Sequence, residues 1–278
     1  MTDDQKGRHC GVSAPLNMFL GLEMGARAYW EQRARRYAGK GRGLRAVCSY
    51  GMPSFYNGYI HLTQCLALAP WLRVSPNTAV LEVGCGVGRW SRRLAYSGAS
   101  VTGIDLAPTM VDTARQMTER SGLSERCHFL VADLAELALG KRFDRILGVT
   151  VLQHILDSER FQAAVERLAA HLAPGGRLVL LEVAPSHRVT RCDTAIFCAR
   201  PTSAYCEAFK RVGLYRVSIS GVDPAPFKSL FLPWYPRLPR SLQLPGLAAV
   251  TALSLPLDIL AGRWMTRFSW HKVFVLSN

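Results

Sequence analysis

The sequence predicts an α/β fold, in which a doubly wound and mostly parallel sheet of seven strands lies between layers of helices. Short apolar runs of strand length alternate with segments of helical periodicity, and four of these runs are each followed by such a segment. The apolar run at residues 79–83 also leads directly into a turn that contains Gly84, Gly86 and Gly88. Doubly wound sheets bind ligands beyond the carboxyl ends of their strands, where this turn would lie.

The elements follow in order from apolar runs and helix signals. The predicted strands span residues 79–83, 99–104, 127–132, 143–150, 177–183, 214–220 and 270–276. Pro108 opens one helix at its first turn, and Asp157 or Ser158 caps another, which ends in the Leu-Ala-Pro-Gly-Gly of residues 172–176. Further helices are predicted at about 16–38, 54–72 and 202–212, and from the glycine turn to about 97.

The glycine turn predicts a ligand that approaches the backbone closely. Glycine allows a sharp turn without an obstructing side chain, and the helix that follows directs unpaired N–H groups back toward it. The next strand ends at Asp105, about 20 residues beyond the first glycine, where a carboxylate can bind both hydroxyls of a ribose. These features together predict a nucleoside cofactor.

The spacing of the glycines narrows the class of nucleoside. Dinucleotide folds use Gly-x-Gly-x-x-Gly or Ala, whereas here the order is Gly-x-Gly-x-Gly and Arg89 occupies the last place. A pyrophosphate site is therefore disfavoured. With Glu82 two residues before the first glycine, the stretch resembles the first motif of class I S-adenosylmethionine-dependent methyltransferases. The resemblance covers about residues 77–222 and the final strand, and it includes the Leu-x-Pro-Gly-Gly segment.

The resemblance implies the Rossmann-like fold of that family and S-adenosyl-L-methionine as the cofactor. Asp133, at the end of the third strand, would then receive the adenine amine, with Leu106 and Leu134 on the two faces of the base. An Asp at a strand end can equally cap the next turn. The residues expected to contact the cofactor are Tyr37, Glu82, Gly84, Cys85, Gly86, Gly88, Asp105, Leu106, Met110, Asp133, Leu134, Val149, Thr150 and Val151.

The resemblance also divides the chain. Its parts are an N-terminal helical cap or lid (1–76), the cofactor-binding core (77–222), an apolar, proline-rich insertion (223–269) and the last core strand (270–278). Sequences similar to this one often carry a first helix that closes over the cofactor, which makes Tyr29, Trp30 and Tyr37 lid candidates. Alternatively, these aromatic residues only dock the helix onto the core.

A catalytic base is needed only if the acceptor begins as a hydroxyl or a protonated amine. His154 follows the fourth strand at the rim of the crevice, and an unshifted pKa near 6.5 would leave it mostly neutral. It is the first candidate, although it could instead orient the loop; His187, after the fifth strand, is the second. A carbon acceptor would instead require aromatic faces. We expect no metal, because no His, Cys, Asp or Glu grouping has ligand spacing.

The net charge and the cysteines of the chain indicate which binding partners and which cell compartment suit it. The net charge of +14 is most one-sided in the flanks, with 10 basic against 4 acidic residues in 1–76 and 6 against 2 in 223–278. A nucleic acid, an anionic lipid or an acidic substrate would explain this excess, as would a GC-rich genome. Eight cysteines without a C-x-x-C pair fit reduced thiols in a cytoplasmic protein, and we see no secretory signal.

Residues 223–269 form a long insertion between two strands. Its stretch 241–257 carries no charge, but a membrane span needs about 20 apolar residues, and we expect Pro245 and Pro256 to interrupt the run. Three interpretations remain: packed lid helices, an apolar wall for a hydrophobic acceptor, or a membrane-surface segment. The last would be flanked by Arg237, Arg240, Arg263 and Arg267.

The sequence thus predicts a methyltransferase for a small, apolar or lipid-like acceptor, with the flanking segments forming the acceptor chamber. One alternative is an RNA or protein methyltransferase that uses the basic flanks. Another is a methyltransferase-like fold that binds the cofactor without methyl transfer. We expect no nucleic-acid partner, because the sequence has no appended module and no Asn-Pro-Pro-Tyr motif after the fourth strand. Peripheral membrane contact and the oligomeric state stay open.

Overall fold

The computed structural model describes residues 25–40, 43–49, 51–186 and 190–278. Its helices and strands, in chain order, are α1 (Ala26–Tyr37), α2 (Leu44–Val47), α3 (Ser54–Leu68), β1 (Ala79–Val83), α4 (Arg89–Tyr96), β2 (Ser100–Asp105), α5 (Pro108–Glu119), β3 (Cys127–Val131), β4 (Phe143–Val149), α6 (Ser158–His171), β5 (Leu172–Val183), β6 (Arg191–Thr194), β7 (Phe197–Ala199), α7 (Thr202–Arg211), β8 (Tyr215–Gly221), α8 (Pro226–Phe231), α9 (Arg240–Ala261) and β9 (His271–Ser277).

Seven strands form one sheet in the order β3-β2-β1-β4-β5-β9-β8. Strand β9 runs antiparallel to both of its neighbours, and the other pairs are parallel. The predicted doubly wound, mostly parallel fold is confirmed. The strand order reverses between β1 and β4, so a ligand crevice is expected beyond the carboxyl ends of these two strands. The glycine turn follows β1 and residues 150–156 follow β4.

Two apolar layers cover the sheet because alternate residues of each buried strand point to opposite faces. On one face Leu81 and Val83 pack with residues of α6 and α7, such as Leu168 and Phe209. On the other face Val80 packs with the layer built from α3, α4 and α5. This sandwich fixes the positions of the strand ends that carry the predicted site.

A short hairpin, β6–β7, was not predicted, because its strands have only four and three residues and the apolar run at residues 195–199 is too short to indicate a strand by itself. Cys192 and Cys198 form a disulfide within it. The expectation of reduced thiols throughout was therefore wrong for this pair. The free cysteines among the described residues are Cys48, Cys65, Cys85, Cys127 and Cys206.

The insertion folds into α8, a turn of 3₁₀ helix at Tyr235–Arg237, and α9. The expectation that Pro245 and Pro256 interrupt the apolar run was wrong, since α9 continues through both for 22 residues. Each proline removes one backbone N–H donor, and its ring crowds the carbonyl group one turn earlier. Helix α9 nevertheless continues, packed against α3 and α8. By length and composition α9 could cross a bilayer.

Candidate functional site

A cavity of about 320 Å³ lies at the carboxyl ends of β1 to β4. Its walls bring together most of the residues predicted from the sequence, namely Gly84, Cys85, Gly86, Asp105, Leu106, Met110, Asp133, Leu134, Val149, Thr150, Val151 and His154. Tyr37, Glu82 and Gly88 are not part of these walls. His187 lies outside the described residues.

The glycine turn has no space for side chains at Gly84 and Gly86, because neighbouring segments contact it on two sides. Gly84 and Gly86 have φ angles of +63° and +52°, which side chains rarely adopt. A Cβ on Gly84 would lie 2.5 Å from Cγ2 of Val151, and one on Gly86 would lie 2.5 Å from Cγ1 of Val47. Only glycine therefore fits between the loop after β4 and helix α2 of the cap.

Asp105 links the end of β2 to the glycine turn. Its carboxylate accepts hydrogen bonds from the N–H groups of Gly86, at 2.8 Å, and Ala107, at 3.0 Å. Burial raises the pKa of this carboxyl group, and the backbone N–H donors oppose that rise. A carboxylate has about four acceptor positions, and with the N–H of Leu106 as a third backbone donor about one remains for a ligand hydroxyl. The ribose contact stays a prediction that this geometry allows.

Asp133 caps the 3₁₀ turn Leu134–Glu136, as the alternative interpretation predicted. Its carboxylate accepts from the N–H of Ala135 at 2.9 Å and from Nη2 of Arg160 at 2.7 Å. Asp133, Leu134 and Arg160 all line the cavity. An adenine amine that reached Asp133 would thus meet a carboxylate already paired with an arginine, and its role in reading the base stays a prediction.

Glu82 lies behind the glycine turn rather than in the cavity wall. Its buried carboxyl group accepts a hydrogen bond from the hydroxyl of Ser91, in the first turn of α4. Burial raises the pKa of Glu82 to about 8. The side chain thereby ties β1 to α4 and holds the two ends of the turn together.

The aromatic residues of α1 divide between the cavity and the core. Trp30 lines the cavity, and Tyr29 packs edge-on against it. Tyr37 packs instead with an apolar cluster that joins α1 to α5. The guanidinium of Arg45 lies 4.8 Å from the centre of the Tyr37 ring. Of the three lid candidates, the structure places Trp30 at the cavity.

The loop after β4 is held in a strained conformation by a residue that the site prediction missed. Glu182 is buried, and its carboxylate accepts from the N–H groups of Val151 at 2.9 Å, Leu152 at 3.0 Å and Gln153 at 3.3 Å. Thr150, at the start of this loop, has a φ angle of +57°. Burial raises the pKa of Glu182 to about 7, against the effect of the three N–H donors.

Arg200 holds the same loop through its carbonyl groups. Its guanidinium donates to the backbone oxygens of Leu152 at 3.3 Å, Ile155 at 2.7 Å and Leu156 at 3.0 Å, and it stacks 4.1 Å from the centre of the Phe161 ring. The sequence held a usable signal for Glu182, because a lone carboxylate inside an apolar strand needs buried donors. Arg200 had no comparable signal.

His154, carried by this loop, has a defined tautomer. Its Nδ1 lies 2.6 Å from the backbone oxygen of Ile196, and a carbonyl can only accept, so we assign the proton to Nδ1. Nε2 is then unprotonated. Burial lowers the pKa of His154 to about 4, so the expectation of an unshifted value was wrong. The Trp30 ring packs against the imidazole, with centroids 4.8 Å apart.

Arg89 connects the cavity to the cap. It lines the cavity and bonds through Nη1 to Nδ1 of His61, at 2.7 Å, and through Nη2 to Oε1 of Gln64, at 2.6 Å, both on α3. Among the residues that the structure describes, no three His, Cys, Asp or Glu side chains are grouped as metal ligands. The cavity wall presents glycine backbone, three aspartates, two arginines, an imidazole and two tryptophan rings.

Residues 80–176, which supply most of these walls, match a family model described as a methyltransferase domain. This chain therefore contains a domain of the methyltransferase family, and the match covers 97 of its 278 residues. S-adenosyl-L-methionine is the cofactor of that family, as the sequence predicts. Solved structures of the same fold contain the cofactor or its demethylated product.

The methyltransferase domain also has curated relatives. A ubiquinone biosynthesis O-methyltransferase from Cereibacter sphaeroides is 39% identical over 101 residues, which cover 36% of this chain and 39% of that protein. The chain spans from about a third to half of the length of the curated relatives that it matches. The similarity to these relatives therefore concerns the methyltransferase domain and not the whole of either protein.

Solved structures resemble this chain over most of its length. Magnesium protoporphyrin IX methyltransferase from Synechocystis has a TM-score of 0.56 and 21% identity, covering 90% of this chain and 93% of that one. The [4+2]-cyclase SpnF has a TM-score of 0.59 and 19% identity, covering 96% and 98%. At these identities the likeness concerns the fold alone. One of the two proteins, SpnF, is a cyclase by name.

Proposed function

We propose that this chain transfers a methyl group from S-adenosyl-L-methionine to a hydroxyl group of a small, apolar or lipid-like acceptor, with His154 as the base. The observation that carries the proposal is that His154 shares one cavity with the glycine turn and Asp105. A proton acceptor and a nucleoside-binding edge in the same cavity are what methylation of an oxygen requires.

The cavity suits the cofactor in size and chemistry. Its volume of about 320 Å³ falls within the usual range for small-molecule sites, roughly 300–1,000 Å³. Asp105 would hold the ribose, and Leu106 and Leu134 would pack on the faces of the adenine beside Asp133. Gly84 and Gly86 leave the backbone open to close approach. When bound, the cofactor supplies a methyl group on a positively charged sulfur.

The residues of the chain then have two tasks. The clamped loop after β4 and the ring of Trp30 hold the acceptor oxygen close to the methyl group and keep water out. Nε2 of His154, which lies 3.4 Å from the side-chain nitrogen of Gln153, would take the proton of the acceptor hydroxyl as that oxygen bonds to the methyl carbon and the bond from this carbon to sulfur breaks. The positive charge thus passes from the sulfur to the imidazole, and the total charge of the cavity stays constant.

The acceptor class is supported by the walls around His154. Trp30, Ile155 and Leu156 present mainly carbon surface to the cavity. An oxygen acceptor agrees with the name of the C. sphaeroides relative, an O-methyltransferase. We further propose a cytoplasmic location, which the free cysteines of the core support and against which the Cys192–Cys198 disulfide counts.

The test is a product assay. The purified chain is incubated with methyl-labelled cofactor and a panel of phenols and alcohols of increasing alkyl length. We expect label in an ether product, with kcat/KM rising with chain length. Label in added RNA or protein instead would support the alternative that uses the basic flanks.

A second candidate, cofactor binding without methyl transfer, is favoured by the likeness to the cyclase SpnF. Calorimetry on the same preparation separates the two functions. Tight cofactor uptake, with no demethylated cofactor formed over the whole acceptor panel, would favour the second candidate.

A further inference from the structure

Helix α9 exposes a long apolar face, while its buried side carries three polar side chains beside the apolar residues that pack on the cap. Its buried face carries Thr251, Ser254 and Asp258, together with Leu247. Its outward face is apolar from residue 242 to residue 260, and exposed members of that face are Leu242, Pro245, Ala249, Ala252, Leu253, Pro256 and Leu260. A surface helix ordinarily buries its apolar stripe and exposes its polar one. An apolar face of this length that stays exposed is typical of a contact surface for an apolar partner.

The exposure of this face is large. Leu253 is 61% exposed and Leu260 is 77% exposed, and the aromatic rings of Trp234 and Trp264 flank the helix with 61% and 82% exposure. Contiguous apolar surface of this kind marks a protein or membrane contact. Tryptophan is the residue enriched where a membrane meets water, and here it stands near both ends of α9.

Charge distribution identifies the partner. Arg237 and Arg240 precede or open α9, Arg263 and Arg267 follow it, and residues 241–257 between them carry no charge. The insertion has two acidic residues, of which Asp258 is buried against Lys228 and Asp223 is paired with His271. The exposed charge of the insertion is therefore basic at both ends of the helix.

This symmetry argues against a second copy of the chain as the partner. Whether two α9 helices packed parallel or antiparallel, each arginine-bearing end would meet another, and like charges would repel. An anionic lipid surface would instead receive both ends at once. Basic residues with tryptophan and leucine on one side of a helix are typical of interfacial helices.

We propose that α9, with Trp234, Trp264 and the flanking arginines, is a membrane-docking surface that lies in the plane of an anionic lipid bilayer. The helix is fixed in that orientation by its polar face. Asp258 accepts from Nζ of Lys228 at 3.1 Å, from the N–H of Ala225 at 2.9 Å and from the hydroxyl of Tyr59 on α3. These buried bonds hold α9 against α3 and α8, so the helix lies on the bilayer and does not cross it.

The experiment is vesicle co-sedimentation of the full chain, using phosphatidylcholine vesicles with and without phosphatidylglycerol. We expect the chain to bind the anionic vesicles more tightly. The double variant Leu253→Gln/Leu260→Gln should lower the affinity for both kinds of vesicle by about tenfold or more, because two leucines no longer enter the lipid. Arg240→Gln/Arg263→Gln should lower it for the anionic vesicles alone.

Matched controls lie outside the insertion. Tyr96→Gln/Leu130→Gln removes two exposed apolar side chains of the core domain, and Arg120→Gln/Lys210→Gln removes two exposed charges from it. Both control variants should bind vesicles as the unmodified chain does. Circular dichroism and cofactor calorimetry on every variant confirm that the domain is folded, and the result does not depend on methyl transfer.

Two outcomes would overturn the proposal. One is equal vesicle binding by the unmodified chain and the Leu253→Gln/Leu260→Gln variant. The other is no vesicle binding, together with a dimer in sedimentation velocity that the same variant converts to a monomer. The second outcome would assign the face to a second copy of the chain.

Discussion

Glu182 and Arg200 hold one loop through opposite kinds of backbone group. The carboxylate of Glu182 accepts from three successive N–H groups at residues 151–153, and the guanidinium of Arg200 donates to three carbonyl oxygens at residues 152–156. Both side chains are buried. Leu152 is bonded to both, through its N–H and its oxygen. The loop that carries His154 is thus over-determined, which lets Thr150 keep its left-handed backbone.

Because the two residues stabilise the same loop, their substitutions should not be additive. Glu182→Gln and Arg200→Met should each lower the free energy of unfolding by about 1–3 kcal/mol, since each leaves buried backbone groups unpaired. The loss of unfolding free energy in the double variant should be smaller than the sum of the two single losses, by about 0.5–3 kcal/mol. Urea denaturation of the four proteins measures this coupling. Additive losses would contradict it, and Glu166→Gln, at an exposed position, is the control.

The strands and the cofactor edge were predictable from the sequence because they depend on local signals. The apolar run before Gly84, the position of Asp105 and the alternation of strand and helix each follow from spacing along the chain. The sequence predicted a doubly wound sheet, and the structure supplies the order of its strands. His154 was found by the same reasoning, because it follows a strand that ends at the crevice.

The features of the site that the sequence did not predict depend on contacts between segments that are distant along the chain. Arg200 is 48 residues from Leu152, and the carbonyl that orients His154 comes from Ile196, 42 residues away. No pattern in either segment refers to the other. The path of α9 through Pro245 and Pro256 was missed for a different reason: packing against α3 and α8 outweighs the loss of two helical hydrogen bonds.

Asp105→Asn should weaken cofactor binding while leaving the fold intact. An amide can replace only part of the acceptor capacity of a carboxylate, so affinity should fall by about 1–3 kcal/mol, the range for hydrogen bonds to a charged group. Calorimetric titration with S-adenosyl-L-methionine measures the change. Asp112→Asn, at an exposed position on α5, should bind like the unmodified chain. Unchanged affinity in Asp105→Asn would contradict the ribose contact.

The pH profile of methyl transfer should show a flat region around neutrality. The pKa of His154 is lowered to about 4, so its imidazole is neutral above about pH 5 and can accept a proton. We expect kcat/KM for a neutral alcohol to fall only as the pH drops through about 4. His154→Gln should reduce kcat by about 100-fold or more and leave cofactor affinity unchanged. A fall of kcat/KM centred near pH 6.5, or a small rate loss in His154→Gln, would contradict the role of this imidazole as the base.

Glu82 should make the folded chain less stable as the pH rises. Its pKa is about 8 in the folded state, against 4.5 for an ordinary glutamate, so between these values the folded state binds the extra proton. The stabilisation linked to this proton is complete below about pH 4.5 and is lost as the pH rises through about 8.

Glu82→Gln keeps an acceptor for Ser91 but has no charge to bury. We expect the unfolding free energy of this variant to exceed that of the unmodified chain by an amount that grows from pH 5 to pH 9, on the order of a few kcal/mol. Thermal or urea unfolding across that range tests it, with Glu166→Gln as the control. Parallel stability curves for Glu82→Gln and the unmodified chain would show that the buried carboxyl group does not hold its proton.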